Sequence, residues 1–170
     1  MSCGWTFAKK ADARKDPNLA RLIQFYVLEC PVPGVSAKGK QFSDYGWSGR
    51  SYSTLHKEMR SVGGFPTYRG DDWKTVTVAQ VEGALRDINR LDVYDCSFEF
   101  AIHTTKSGLN KTEGLFNFIR NSFAHGGFKT SKYEGEVFYV MENRYNGKLR
   151  GRGIIRESTL LKWIDVVKRK

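Results

Sequence analysis

An Asn-Gly pair at positions 146–147 is the feature that most restricts how this chain can fold. The pair separates two runs of β-branched and aromatic residues, EVFYVMENR before it and LRGRGIIRE after it. Two-residue hairpin turns favour Asn-Gly, because both central residues of such a turn need a positive φ. The pattern therefore predicts a β-hairpin over 134–157. Ser158 then begins a final amphipathic helix, whose apolar positions are Leu160, Leu161, Trp163, Ile164 and Val167.

Upstream of the hairpin, most apolar residues recur at helical spacing. Asp16-Pro17 is a typical helix start, and further helices are predicted over 53–62 and after Thr77. The segment DVYDCSFEFAIHTTKSG fits two structures: some of its apolar residues alternate as in a strand, but more of them match helical spacing from Tyr94 to Thr105. The larger number of matches favours the helix. The chain is therefore predicted to be mainly α-helical, with a C-terminal β-hairpin and a final helix.

The length of 170 residues fits one domain over 1–170. Residues 1–16 are basic and lack an apolar pattern, which predicts a loose arm. Residues 31–53 are rich in Gly, Ser and Lys and predict a long loop. The aromatic residues of that loop, Phe42, Tyr45 and Trp47, are expected to pack into the core.

Several classes of protein are excluded by composition. The three cysteines form no CxxC pair, which argues against a disulfide framework and a thiolate zinc site. The adjacent acids Asp71 and Asp72 indicate a loop or a helix cap rather than a metal site. No apolar run is long enough for a membrane helix, and the first residues lack an apolar secretory segment. The sequence therefore predicts a cytoplasmic protein with no membrane segment, no metal and no cofactor.

The charge of the chain points to a polyanionic partner. The formal net charge is +10, and nine of the 28 Lys and Arg residues lie between Arg144 and Lys170, accompanied by two acids. Such an excess attracts nucleic acid. Arg150 and Arg152 are two residues apart, which predicts that both lie on one face of a strand. The candidates for contact with an RNA backbone are Arg144, Lys148, Arg150 and Arg152. The alternative is a solvated edge strand protected by its charges.

The segment GLFNFIRNSFAH, residues 114–125, carries the most chemistry. On a helix its apolar residues share one side, and a polar stripe follows the other side: Asn117, Arg120, Asn121, Ala124 and His125. An imidazole can accept and donate a proton near neutral pH, and a guanidinium binds phosphate. Together they suit metal-independent cleavage of RNA through its 2′-hydroxyl. The alternative is a polar helix face whose last residue, a histidine, satisfies the helix carbonyls.

The run Arg120-Asn121-Ser122-Phe123-Ala124-His125 resembles the R-N-x-x-x-H motif of the HEPN superfamily. The strand ending in Glu142-Asn143-Arg144 and the helix around 159–164 are similar to one prokaryotic branch of that superfamily. The resemblance implies a HEPN-like helical bundle and a metal-independent endoribonuclease of toxin–antitoxin, abortive-infection or other anti-phage systems. It implies a homodimer with one composite site, in which Arg120 and His125 are catalytic and Asn121 orients the imidazole or the phosphate. It also implies a protein antitoxin or regulator as a possible partner.

One position departs from the HEPN proteins that are paired with a nucleotidyltransferase antitoxin. Those proteins have a tyrosine two residues after the histidine, where this chain has Gly127, so regulation by adenylylation at that tyrosine is not expected. Two other functions remain open from the sequence. The chain could hold RNA or a nucleotide without cutting it, with Asn117 among the contacts, or it could be an antitoxin or inhibitor that binds an acidic protein surface.

Overall fold

The computed structural model describes residues 3–7, 15–62 and 73–169. The helices are α1 (Pro17–Ile23, continued by a π-helical turn Gln24–Glu29), α2 (Ser51–Val62), α3 (Val81–Asp87), α4 (Lys111–Ala124) and α5 (Glu157–Lys168). The strands are β1 (Cys3–Gly4), β2 (Trp73–Thr75), β3 (Val93–Tyr94), β4 (Phe100–His103), β5 (Phe128–Tyr133), β6 (Glu136–Tyr145) and β7 (Lys148–Arg156). Short 3₁₀ helices span Phe42–Tyr45 and Val78–Gln80. Much of the predicted arm, and Asp71 with Asp72, lie outside the described residues.

The prediction of a mainly α-helical bundle is wrong, because the chain has an α/β fold. Its centre is a five-stranded mixed sheet in the order β2-β4-β7-β6-β5. β2 and β4 are parallel, and the other neighbours in this sheet are antiparallel. β1 and β3 form a separate antiparallel pair. No helix in the described segments is long and apolar enough to cross a membrane.

The helix predicted around 94–105 is wrong, because this segment contains strand β4. All four residues of β4 are buried, since the strand lies inside the sheet with packed layers on both faces. A strand that is buried on both faces loses the apolar–polar alternation by which strands are recognised. Its aromatic and aliphatic residues therefore match helical spacing by chance.

Helices cover both faces of the sheet. The larger core lies between one face and α1, α2, α4 and α5, and the smaller core lies between the other face and α3. The predicted loop 31–53 contributes Phe42 and Trp47 to the larger core, as expected, and α2 already begins within it at Ser51. Two indole nitrogens fix α5: Trp47 Nε1 donates to the carbonyl of Val167 at 2.8 Å, and Trp163 Nε1 donates to that of Met59 at 2.7 Å.

The predicted hairpin is present, with β6 and β7 joined by Asn146 and Gly147 at φ values of 48° and 74°. The pairing slips near the tip, because Asn143 pairs with Gly151 whereas the next residue, Arg144, pairs with Leu149. Arg150 is therefore an extra, unpaired residue of β7, and the strand has a β-bulge there. A bulge turns the side chain of the extra residue away from the regular alternation.

A glycine joins the end of α4 to the middle of β6. Gly127 donates its N–H to the Ser122 carbonyl at 2.8 Å and accepts one from Glu142 at 2.7 Å. The two backbones approach so closely that a Cβ built on Gly127 would overlap the carbonyl oxygen of Glu142. This contact fixes α4 against the hairpin.

Candidate functional site

A groove of about 1080 Å³ lies between the C-terminal half of α4 and the end of the hairpin. Its remaining walls are residues 75–78 and 80, at the end of β2 and after it, and residues 104–106 after β4. Its polar and aromatic lining includes Gln80, Lys106, Asn117, Asn121, His125, Asn143, Arg144, Tyr145 and Arg150. Among the described residues that line the groove there is no Asp or Glu. The volume is slightly above the range that small-molecule pockets occupy, about 300–1,000 Å³.

Helix α4 supplies one wall of the groove. The helix begins with a capping box, in which the side chains of Asn110 and Glu113 each accept the other's backbone N–H. The helix ends at Ala124, and Gly126, two residues later, has a φ of 70° that a helix does not permit. Asn117, Asn121 and His125 are four residues apart and face the groove. The opposite side of the helix is buried in the larger core. His125 caps the C-terminal end of α4 and is exposed, and its backbone N–H donates to the Asn121 carbonyl at 3.0 Å.

The hairpin supplies two guanidinium groups to the opposite wall. Arg144 donates from Nε to the Glu142 carboxylate at 2.6 Å and from Nη1 to the Gly147 carbonyl at 3.3 Å, which holds it at the rim. The Arg150 guanidinium lies 5.5 Å from the centre of the Tyr145 ring. Within the described part of the chain, no carboxylate pairs with Arg150, and its buried Nε has no hydrogen-bond partner.

Arg152 lies on the opposite face of the sheet, although it is only two residues from Arg150. It is 5% exposed, forms a 2.7 Å ion pair with Glu142, donates to the carbonyl of Leu91 and lies over the Trp5 ring. Regular alternation places both arginines on one face, and the bulge at Arg150 is the reason that they separate. Burial lowers the pKa of Arg152, and the bonded Glu142 carboxylate opposes that shift.

Arg120 and Lys148 also lie outside the groove lining. The Arg120 Nη1 donates to the side-chain oxygen of Asn121 at 2.9 Å. Arg120 thus contacts a residue that lines the groove without lining the groove itself. Near it, burial raises the pKa of the Cys30 thiol to about 12, and the positive charge of Arg120 opposes that rise. Lys148 is exposed at the start of β7, opposite Tyr145.

The structure thus brings together five of the eight residues singled out from the sequence: Asn117, Asn121, His125, Arg144 and Arg150. Sequence reasoning missed Gln80, Lys106, Asn143 and Tyr145. Lys106 was hidden because the strand before it was interpreted as a helix. Asn143 and Tyr145 could have been found by alternation, since both follow Met141 at two-residue steps on the face of β6 that packs against α4.

The described side chains offer no group of three or more His, Cys, Asp or Glu that could hold a metal ion. Comparison of the chain with protein-family models, with curated proteins and with solved structures gives no match.

Proposed function

We propose that the groove binds RNA and that His125 promotes its cleavage without a metal ion. The observation that carries the proposal is the composition of one cavity. An imidazole, four carboxamides and three cationic side chains surround it, and the described lining contains no carboxylate. Arginine and lysine bind phosphate. Lys106 and Arg150 form no ion pair with a described carboxylate, so their charge is available to a polyanion, whereas Arg144 is shared with the Glu142 carboxylate.

The reaction that fits these groups uses the nucleophile of RNA itself. The His125 imidazole takes the proton of a 2′-hydroxyl while that oxygen forms a bond to the neighbouring phosphorus. Arg144 and Arg150 hold the phosphate oxygens, on which negative charge grows. The bond from phosphorus to the 5′-oxygen breaks, and the departing oxygen takes a proton. The products are a 2′,3′-cyclic phosphate and a 5′-hydroxyl.

The R-N-x-x-x-H run supports this proposal through α4 alone, since the surrounding fold is not the helical bundle that the resemblance implied. In this α/β setting Arg120 acts as a positioning residue. Its guanidinium fixes the Asn121 side chain, which stands one turn before His125 in the groove. The amide is then directed toward the imidazole or the bound phosphate.

A homodimer is part of the proposal. His125 is exposed at the end of α4, so a second copy related by two-fold symmetry can bring another imidazole to the same phosphate. One imidazole would then act as the base and the other as the acid that protonates the 5′-oxygen. Two positively charged sites facing each other repel until an anion lies between them.

The test is a cleavage assay on end-labelled RNA in the presence of EDTA. We expect wild-type protein to release fragments ending in a 2′,3′-cyclic phosphate and to leave DNA of the same sequence intact. His125→Ala should lower the rate by about 100-fold or more, the usual contribution of a general base. Lys57→Gln, a charge change on an exposed residue of α2, is the matched control and should cleave like wild type. Equal cleavage by wild type and His125→Ala would exclude the catalytic role.

Binding without cleavage is the second candidate function, and one observation favours it. The Arg120 guanidinium does not line the groove in the single chain, whereas the resemblance gives it a direct catalytic role. Salt-sensitive RNA binding without any product would identify this function.

A further inference from the structure

Tyr145 is an aromatic ring displayed at the rim of the groove. It is 64% exposed, more than any other large hydrophobic side chain of the described residues. It is the last residue of β6, immediately before the Asn146-Gly147 turn. The ring is therefore carried by the tip of a hydrogen-bonded hairpin and still reaches the groove lining.

The surroundings of the ring suit a planar ligand. The Arg150 guanidinium lies 5.5 Å from the ring centre, which supports the ring from one side by a cation–π contact. The remainder of the ring is exposed to solvent. An RNA base fits there, because bases stack on aromatic side chains whatever their sequence.

The groove continues beyond Lys106 into a second cleft of about 340 Å³. The two clefts share Thr75, Thr105 and Lys106, and the second one extends to Lys111 at the start of α4. Neither cleft has an Asp or Glu among its described lining residues. Cations therefore follow one continuous path from the hairpin tip to the start of α4, which matches a strand that passes from one cleft to the next.

We infer that the ligand of this site is a single-stranded stretch of RNA, with one unpaired base stacked on Tyr145 and the backbone running past Lys106 to Lys111. A duplex does not fit this arrangement, since its bases are stacked on each other and present only their edges. The inference rests on the proposed function in one respect, namely that the ligand is RNA. It adds the strandedness of the ligand and a base-binding residue.

The experiment measures binding separately from cleavage. A fluorescent RNA of about twelve nucleotides with 2′-O-methyl groups has no free 2′-hydroxyl and cannot be cut by the proposed reaction. Fluorescence anisotropy gives its dissociation constant as a single strand and as a duplex with its complement. The variants are Tyr145→Ala, Tyr145→Phe, Lys111→Gln and, as a matched control, Tyr133→Ala on the exposed edge strand β5.

We expect wild type to bind the single strand more tightly than the duplex. Tyr145→Ala should weaken single-strand binding by about 10-fold, within the range of one base–aromatic stack, and should leave duplex binding unchanged. Tyr145→Phe keeps the ring and should bind like wild type, and so should Tyr133→Ala. Lys111→Gln should weaken single-strand binding and reduce its dependence on salt.

The outcomes separate this inference from the proposed function. If wild type binds neither form of RNA, the proposed function itself fails. If it binds the single strand and the duplex equally, or if Tyr145→Ala binds the single strand like wild type, RNA remains the ligand and the inference of a stacked, unpaired base is overturned. If Tyr145→Ala loses affinity while unmodified RNA is never cleaved, the inference holds and the catalytic part of the proposed function fails.

Discussion

Replacing Gly127 by alanine should disturb the groove without touching any residue that lines it. The added methyl group would overlap the carbonyl oxygen of Glu142, which is backbone and cannot swing aside. Either the end of α4 or the middle of β6 must move, although Gly127 links them by donating to the Ser122 carbonyl and accepting from the Glu142 N–H. His125 lies just before this contact, and Arg144 lies just after it.

The size of the effect follows from the overlap. Relieving it requires a displacement of about 1 Å, and a shift of that size at a catalytic group costs about 100-fold in rate. The same strain lowers stability, because inserting a methyl group into a fully packed contact costs about 1–3 kcal/mol. In urea this corresponds to a midpoint lower by about 1 M.

The assay combines urea unfolding, followed by fluorescence of the four tryptophans, with RNA cleavage and with binding of the 2′-O-methyl RNA. The matched control is Gly83→Ala in α3, where the added methyl group meets no atom within 4 Å. That variant should be more stable by about 0.5–1 kcal/mol, since alanine favours a helix over glycine. A Gly127→Ala protein with wild-type stability and activity would refute the reasoning.

Three further predictions concern groups outside the groove lining. Burial lowers the pKa of His103 to about 4, so the folded protein keeps this imidazole neutral. The free energy of unfolding should therefore fall by up to about 3 kcal/mol on account of His103 as the pH drops from about 6.5 to about 4. Unfolding measured across this range should show a clearly smaller loss in His103→Phe than in wild type; what remains includes His56, whose pKa burial also lowers. Glu142→Ala removes the carboxylate that pairs with the buried Arg152 guanidinium. The free energy of unfolding, measured in urea, should fall by about 3–5 kcal/mol, and adding Arg152→Met should recover part of that loss. Arg120→Ala should slow cleavage about tenfold, the equivalent of one hydrogen bond to a charged group, with RNA affinity unchanged; a drop in affinity alone would contradict its role in positioning Asn121.

The sequence predicted those elements that neighbouring residues specify, namely the hairpin, α4 and α5. Asn146-Gly147 identified the hairpin because the turn chemistry is local. The spacing of apolar residues identified α4 and α5 because each helix buries only one side. Strand β4 could not be recognised in this way, since both of its faces are buried and the alternation that identifies a strand is lost.

The candidate site was predictable in its parts and not in its assembly. The polar stripe of α4 and the arginines of the hairpin could be read from the sequence, but their meeting depends on the packing of α4 against β6 through Gly127. The division of Arg150 from Arg152 depends on a bulge that leaves no mark in the residue pattern. Regular alternation, the one rule available for a strand, therefore placed them on the same face.

The walls of the groove come from segments that are far apart along the chain, from Thr75 to Arg150. During synthesis, no ribosome-bound chain can complete the groove before Arg150 has left the exit tunnel. The larger core closes later still, when Trp47 meets Val167. A nascent chain of this protein therefore holds only part of the groove until the hairpin has been synthesised, and the core behind it stays open until α5 has followed.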